Sequence, residues 1–244
     1  MFGRHHRLRG LLAAGLAATV VFLLAAAPAL ADTATPEQPA SPDATAIDDI
    51  YRAVLGVTVT IFVLVGGWLV YAAIRFRERR DDPRREPPQF HGSFRLELGW
   101  SIVPILILAA LSAYTFVRLP DVKDVPKGAM TVKVEAFQFG WNFTYPNGKQ
   151  SQQQGVLVVP VGRPIKLLVT ARDVIHDFWV PSLGPKIDAI PGQTNSDWFE
   201  ARQTGTYHGQ CAELCGLGHA TMLITVRVVT QSQFQSYLQK ISSS

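Results

Sequence analysis

Between Ala53 and Ile74 the chain carries no charged side chain over 22 residues, and between Leu98 and Val117 none over 20. At about 1.5 Å of rise per helical residue, either run can cross a hydrocarbon layer about 30 Å thick. Backbone inside lipid must satisfy its own hydrogen bonds, so runs of this length fold as helices and not as open sheet. The sequence therefore predicts two transmembrane helices, 53–75 and 97–118, joined by a loop at 76–96. The stretch from Arg75 to Arg95 holds seven arginines, whereas the 22 residues from Asp32 to Ala53 hold only Arg52. Positive charge marks the cytoplasmic side, which places 76–96 inside and both the preceding segment and everything after Val117 outside. Such a chain is a multi-pass protein of a bacterial cell membrane with an external C-terminal domain.

The N-terminal residues agree with export. Arg4, Arg7 and Arg9 precede an uncharged run from Gly10 to Ala31, which ends Pro28-Ala29-Leu30-Ala31 before Asp32. A basic front, an apolar run and small residues before a break form a secretory signal pattern, so 1–31 reads as a signal peptide cleaved after Ala31. An uncleaved anchor helix is the alternative, since the run is long enough to span. No cysteine follows the break, which excludes lipid attachment there. Residues 32–52, rich in Pro, Ala, Thr, Ser and acid, read as an exposed, mobile external linker.

Composition narrows the class further. With 48% hydrophobic and 17% charged residues the chain is not intrinsically disordered. The formal charge of +4 would suit a nucleic-acid binder, yet seven of the 23 basic residues lie in the loop between the apolar runs. The excess reports membrane topology, and no nucleic-acid partner is expected. Residues 119–244 are enough for a separate core. They read as short strands rich in Val, Ile, Thr and aromatics: Thr131 to Phe139, Trp141 to Tyr145, Val156 to Val159, Pro164 to Thr170, Asp177 to Val180 and Met222 to Val229. Pro146-Asn147-Gly148 marks a turn. An antiparallel sandwich or barrel follows, with a short terminal helix over Gln233 to Ile241.

The chemistry-bearing text is Cys211-Ala-Glu213-Leu-Cys215-Gly-Leu-Gly-His219-Ala-Thr-Met222, with His176 at a distant strand end. Soft sulfur with imidazole favours copper, zinc or an iron-sulfur cluster, and a thioether tips the choice towards copper. A single type 1 copper needs one thiolate, and here there are two. Two thiolates can bridge two copper ions, leaving each metal one imidazole and one weak ligand, for which Met222 and a backbone carbonyl serve. A disulfide between Cys211 and Cys215, or a structural zinc on Cys2His2, remains open on residue types alone.

The string Cys211-x-Glu213-x-Cys215-Gly216-x-x-His219-x-x-Met222, with Asp173-Val-Ile-His176 and Trp179-Val-Pro-Ser-Leu-Gly184-x-Lys-x-Asp188-Ala-Ile-Pro-Gly192, resembles subunit II of the haem-copper cytochrome c oxidases. The resemblance implies a two-helix transmembrane hairpin followed by an all-β cupredoxin-like sandwich holding the dinuclear copper centre CuA. It implies His176, Cys211, Cys215, His219 and Met222 as side-chain ligands, with Glu213 giving its backbone carbonyl. The family also sets the carboxylate of that glutamate on a Mg²⁺ shared with subunit I, a hard oxygen ligand on a hard cation. Leu96-Glu97-Leu98-Gly99-Trp100 resembles the cytoplasmic start of the family's second helix, which makes Glu97 a proton-path candidate.

In Phe137-Gln-Phe139-Gly-Trp141-Asn-Phe143 the family's electron-uptake indole falls on Phe139. Trp141, two residues on and expected on the same strand face, is the slightly preferred candidate. Asp173, Asp177 and Asp188 could form a local acidic docking face, although Arg118 to the end holds 12 basic and nine acidic residues. No Cys-x-x-Cys-His occurs, so the donor cytochrome c is a separate molecule. The implied role is the electron-accepting subunit of an oxidase whose O2 site lies in subunit I, assembled with further subunits and coupled to proton pumping. A copper-free quinol oxidase subunit II and a membrane-tethered copper carrier or sensor are the alternatives.

Overall fold

The computed structural model describes residues 37–77 and 91–242. The signal peptide assigned to 1–31, its cleavage point at Ala31 and most of the arginine-rich loop lie outside the described residues. Two long helices come first, α1 over Pro42–Arg75 and α2 over Phe94–Lys123. Their apolar stretches are unburied within the chain, with Phe62 76% and Phe116 76% exposed. Side chains this apolar face outward only where the surroundings are also apolar, as in a bilayer. At the start of α2 the Glu97 carboxylate accepts from the Ser93 N–H at 3.2 Å and ties down the first turn.

The helix α1 begins eleven residues before the uncharged run, so residues 42–52 of the expected mobile linker are helical. Ser41 is its N-cap, its Oγ accepting from the Ala44 N–H at 3.1 Å and donating to the Leu183 carbonyl at 2.7 Å. Pro42 occupies the first helical position, where no N–H is needed. Ala40 donates to the Ser182 carbonyl and accepts from the Arg202 N–H. Ser41, Asp43, Ala44 and Ala46 are buried against the following domain. Lower down, Arg118 of α2 pairs with Asp49 of α1 at 2.6 Å, joining the two helices where the apolar runs end.

Nine strands then form two packed sheets: β1 Met130–Phe137, β2 Gly140–Thr144, β3 Val156–Pro160, β4 Ile165–Ala171, β5 His176–Trp179, β6 Lys186–Ala189, β7 Asn195–Phe199, β8 Gly205–Cys211 and β9 Leu223–Val229. One sheet runs β2-β1-β4-β7 and the other β3-β9-β8-β5-β6. The expected cupredoxin-like sandwich is thus present, but it is mixed and not wholly antiparallel. The pairs β1 with β4 and β3 with β9 are parallel. Alternate residues of β1 and β4 point into the core, as a half-buried strand requires. The strand β3 is buried at every position, because the terminal helix α3, Gln231–Ser242, covers its outer side and buries Phe234.

Trp141 and Phe178 meet edge to face at 5.5 Å in the middle of the core. Tyr145 ties the sheets together, its hydroxyl donating to the Val158 carbonyl and accepting from the Val158 N–H, both at 2.9 Å.

Burial, reinforced by the charge of Asp197, raises the Asp43 carboxyl to about 7 against a usual value of 3.8. A carboxyl raised on folding binds its proton more tightly in the docked state, so its docking contribution is complete in acid and is lost as pH rises through about 7. Amide exchange at Ala44 and Thr45 should therefore accelerate as pH rises from 5 to 8, beyond the intrinsic base catalysis. Asp43→Asn should abolish that excess; an excess that persists in the variant would assign it elsewhere.

Candidate metal centre

Five side chains from three separated segments converge at one end of the sandwich. His176 opens β5 and is fully buried; Cys211 closes β8; Cys215, His219 and Met222 lie on the loop between β8 and β9. Strand pairing sets Phe178 opposite Cys211, which brings the β5 start beside the β8 end. The Ala212 N–H donates to the Asp177 carbonyl at 3.1 Å, and the Cys211 N–H to the Met222 carbonyl at 3.0 Å. The loop is thereby closed at both ends by backbone. Gly209 allows the approach, since a Cβ there would stand 2.3 Å from the Trp179 carbonyl oxygen.

The two sulfurs are 3.9 Å apart and both cysteines are free, far from the ~2.05 Å of a disulfide. Cys211 Sγ lies 4.0 Å from His176 Nδ1, and Cys215 Sγ lies 3.7 Å from His219 Nδ1. Met222 Sδ stands 3.9 Å from Cys215 Sγ, and the Glu213 carbonyl oxygen 3.2 Å from Cys211 Sγ. Each sulfur thus has one imidazole nitrogen and one weaker donor near it. Six donors face one small volume, two more than a tetrahedral zinc accepts. Sulfur and imidazole together suit soft metal ions such as copper.

Burial, and then the neighbouring Cys211 sulfur, push the Cys215 thiol up to about 11. At neutral pH the thiol stays protonated until a cation displaces the proton. Asp173 fixes the other side: its Oδ1 lies 2.9 Å from His176 Nε2 and its Oδ2 accepts from the Gln138 N–H at 2.7 Å. Burial pushes the Asp173 carboxyl up, but the hydrogen bonds from His176, Gln138 and Val174 outweigh it and hold the carboxyl below the usual range. With Nε2 engaged, Nδ1 is left facing the sulfurs. Gln138, to which the aromatic motif containing it assigned no role, donates its side-chain amide to the Cys215 carbonyl at 2.6 Å. A long-range bond of this kind leaves no pattern in the primary structure.

Phe139 and Trp141 do not share a strand face. Phe139 sits in the turn between β1 and β2, 40% exposed, with its ring against Gly216 and Gly218 of the cysteine loop. Trp141 is fully buried, edge on to His176 at 6.2 Å between centroids. Asp177 is buried and paired with Lys186 at 3.1 Å, so it adds nothing to an acidic surface. Its carboxyl is raised by burial, against the pull of Lys186. Glu213 is exposed, leaving its carboxylate at the surface while its carbonyl faces Cys211. Glu97 is distant in the chain, at the far end of α2 from the domain.

Residues 33–117 match the family Cytochrome C oxidase subunit II, transmembrane domain, and residues 149–229 match Cytochrome C oxidase subunit II, periplasmic domain. The chain is 32% identical over 222 residues to a probable cytochrome c oxidase subunit 2 of Rickettsia bellii, covering 83% of this chain and 81% of that one. It is 34% identical over 238 residues to cytochrome c oxidase subunit 2 of Cereibacter sphaeroides, covering 82% and 78%.

The chain belongs to the cytochrome c oxidase subunit II family.

Among solved structures, the periplasmic domain of cytochrome oxidase subunit II from Bradyrhizobium japonicum is 40% identical, with 49% of this chain and 97% of that one covered at a TM-score of 0.46. Within the subunit II chain described above, Gly218 packs directly against the Phe139 ring. A Cβ there would stand 2.5 Å from the base of the Phe139 ring, which has no flexible end with which to yield. Gly218→Ala should cost about 1–3 kcal/mol of domain stability by overpacking, read from denaturant unfolding. An unchanged midpoint would show that the ring has room to move.

Proposed function

We propose that this subunit receives single electrons from a cytochrome c at a dinuclear copper centre and delivers them to haem in oxidase subunit I, where O2 is reduced with proton pumping. The observation that carries the reading is the pair of free buried sulfurs 3.9 Å apart, each with its own imidazole and weak donor. His176, Cys211, Cys215, His219, Met222 and the Glu213 carbonyl would hold the two ions. The bound pair supplies a redox centre whose single unpaired electron is shared between both metals.

The protein's own contribution is preorganisation. A donor cage fixed by strand pairing and by the Asp173 hydrogen bond changes little when charge arrives or leaves, which keeps reorganisation small. Burial of both cysteines and Met222 excludes water and competing oxidants. It also disfavours a metal carrier, which must hand its ion over through exposed donors. The exposed Phe139 ring, packed against the cysteine loop, is the better electron-uptake candidate, and Trp141 serves as core beside His176. The exposed Glu213 carboxylate is free to reach a Mg²⁺ shared with subunit I. Glu97, at the start of α2, would offer a carboxylate at the cytoplasmic mouth of a proton path. The charge asymmetry around the helices supports an external copper domain.

Copper analysis tests the centre. The purified chain should bind two coppers and give a seven-line hyperfine pattern, as two equivalent nuclei of spin 3/2 require. One copper with four lines, or stoichiometric zinc, would overturn the reading. Cys215→Ser should abolish the shared centre and cytochrome c oxidation, while Met222→Leu, which removes only a weak donor, should mainly shift the potential. Metal binding releases the thiol proton, so copper retention should rise with pH and fail in acid; a flat profile would contradict thiolate ligation.

A further inference from the structure

Where the two membrane helices meet the β domain, they form with it an open cavity of about 460 Å³. Arg118, Asp121 and Asp124 line it from the end of α2, and Trp198 and Arg202 line it from the domain. Arg118 directly follows Val117, the last residue of the uncharged run, so the cavity lies at the level of the lipid headgroups.

Its charges are unusually placed. Arg118 spends its terminal nitrogens on Asp49 and Asp121, and its Nε is buried away from the cavity surface. The Arg202 guanidinium donates to the Thr45 hydroxyl at 3.0 Å and meets no carboxylate among the described residues. The Asp124 carboxylate likewise has no partner there. A cation and an anion thus share one cavity without pairing with each other. A simple anion would meet Asp121 and Asp124, and a simple cation would meet Arg118 and Arg202. A molecule carrying both charges satisfies both sets. Pro120, Ala46 and the Trp198 ring supply apolar wall beside them, and a tryptophan at this depth is where amphipathic rings settle.

We propose that this cavity binds a phosphodiester bearing an ammonium group, the headgroup chemistry of a phosphatidylethanolamine. The phosphate oxygens accept from the exposed Arg202 guanidinium, and the ammonium donates to Asp124. The inference rests on the two helices spanning a membrane and is independent of the metal centre.

Native mass spectrometry of the full chain released from detergent, titrated with dioleoylphosphatidylethanolamine, tests it. The chain should retain one such lipid and should prefer it to dioleoylphosphatidylglycerol, which has the phosphate without the ammonium. Arg202→Gln removes a charge-assisted hydrogen bond and should weaken retention roughly tenfold, with Arg202→Lys recovering part of it. Asp124→Asn, at an exposed helix end, should reduce the preference for the ethanolamine lipid and leave phosphatidylglycerol unaffected. Glycerophosphoethanolamine separates the sources: weak competition keeps the site with the membrane, and competition at lipid-like concentration assigns the same chemistry to a soluble phosphodiester. Equal retention of both lipids by the unsubstituted chain, or equal retention by it and Arg202→Gln, overturns the proposal. Copper content measured on the same samples reports the metal centre separately, so failure of one reading is not mistaken for failure of the other.

Discussion

Two backbone hydrogen bonds determine whether the donor cage exists at all. One runs from the Ala212 N–H to the Asp177 carbonyl and the other from the Cys211 N–H to the Met222 carbonyl. Through them, the residues flanking His176, Cys211 and Met222 are held at sheet-like separations although 35 residues separate the histidine from the first cysteine. Side chains then need only ordinary rotamers to meet. The energetic tension is that two thiols and two imidazoles are gathered in a largely dry space. The raised Cys215 thiol expresses that tension, which a soft cation relieves by replacing protons.

The parts of the fold legible in the sequence were those governed by local periodicity and length. Both helices, six of the nine strands and the terminal helix follow from apolar runs or alternation. The strands β6, β7 and β8 do not. Asn195-Ser-Asp-Trp-Phe199 and Gly205-Thr-Tyr-His-Gly-Gln-Cys211 are polar or glycine-rich, and β8 is half exposed along most of its length. They are strands because neighbours offer them backbone partners, a tertiary effect that composition does not encode. The parallel pairs escaped for a related reason, since alternation reports which face is buried and not which way a neighbour runs. Four of the proposed donors, Cys211, Cys215, His219 and Met222, stand out in the sequence because they fall within 12 residues, whereas His176 lies 35 residues before Cys211 and joins them only through the fold. The relative placement of Phe139 and Trp141 was not legible, because a turn between β1 and β2 breaks the strand alternation on which it depended.

The linker illustrates the same limit from the other side. Residues 32–52 have the composition of a flexible tether, and nothing within that stretch signals that Ser41 will meet Leu183, 142 residues away. What the composition does contain is a good helix start, with serine at the cap, proline behind it and an acid in the first turn. Once that start is docked, the helix is continuous with the transmembrane run.

That continuity links anchoring to the proposed electron delivery. The turn that receives Ser41 and Ala40 is Pro181–Leu183, which directly continues β5, the short strand whose first residue is His176. On the opposite side Trp198 of β7 donates its indole N–H to the Val122 carbonyl near the end of α2. The domain is therefore fastened to each membrane helix by a separate hydrogen-bonded contact, one of them a few residues from a proposed copper ligand. Two attachments resist the tilting that one would permit. Electron transfer depends steeply on distance, so a donor cage rigid within itself is useful only if its position over the membrane is rigid too. In this chain the same strand that presents His176 also carries the seat of the first membrane helix, and the two requirements are met by one piece of backbone.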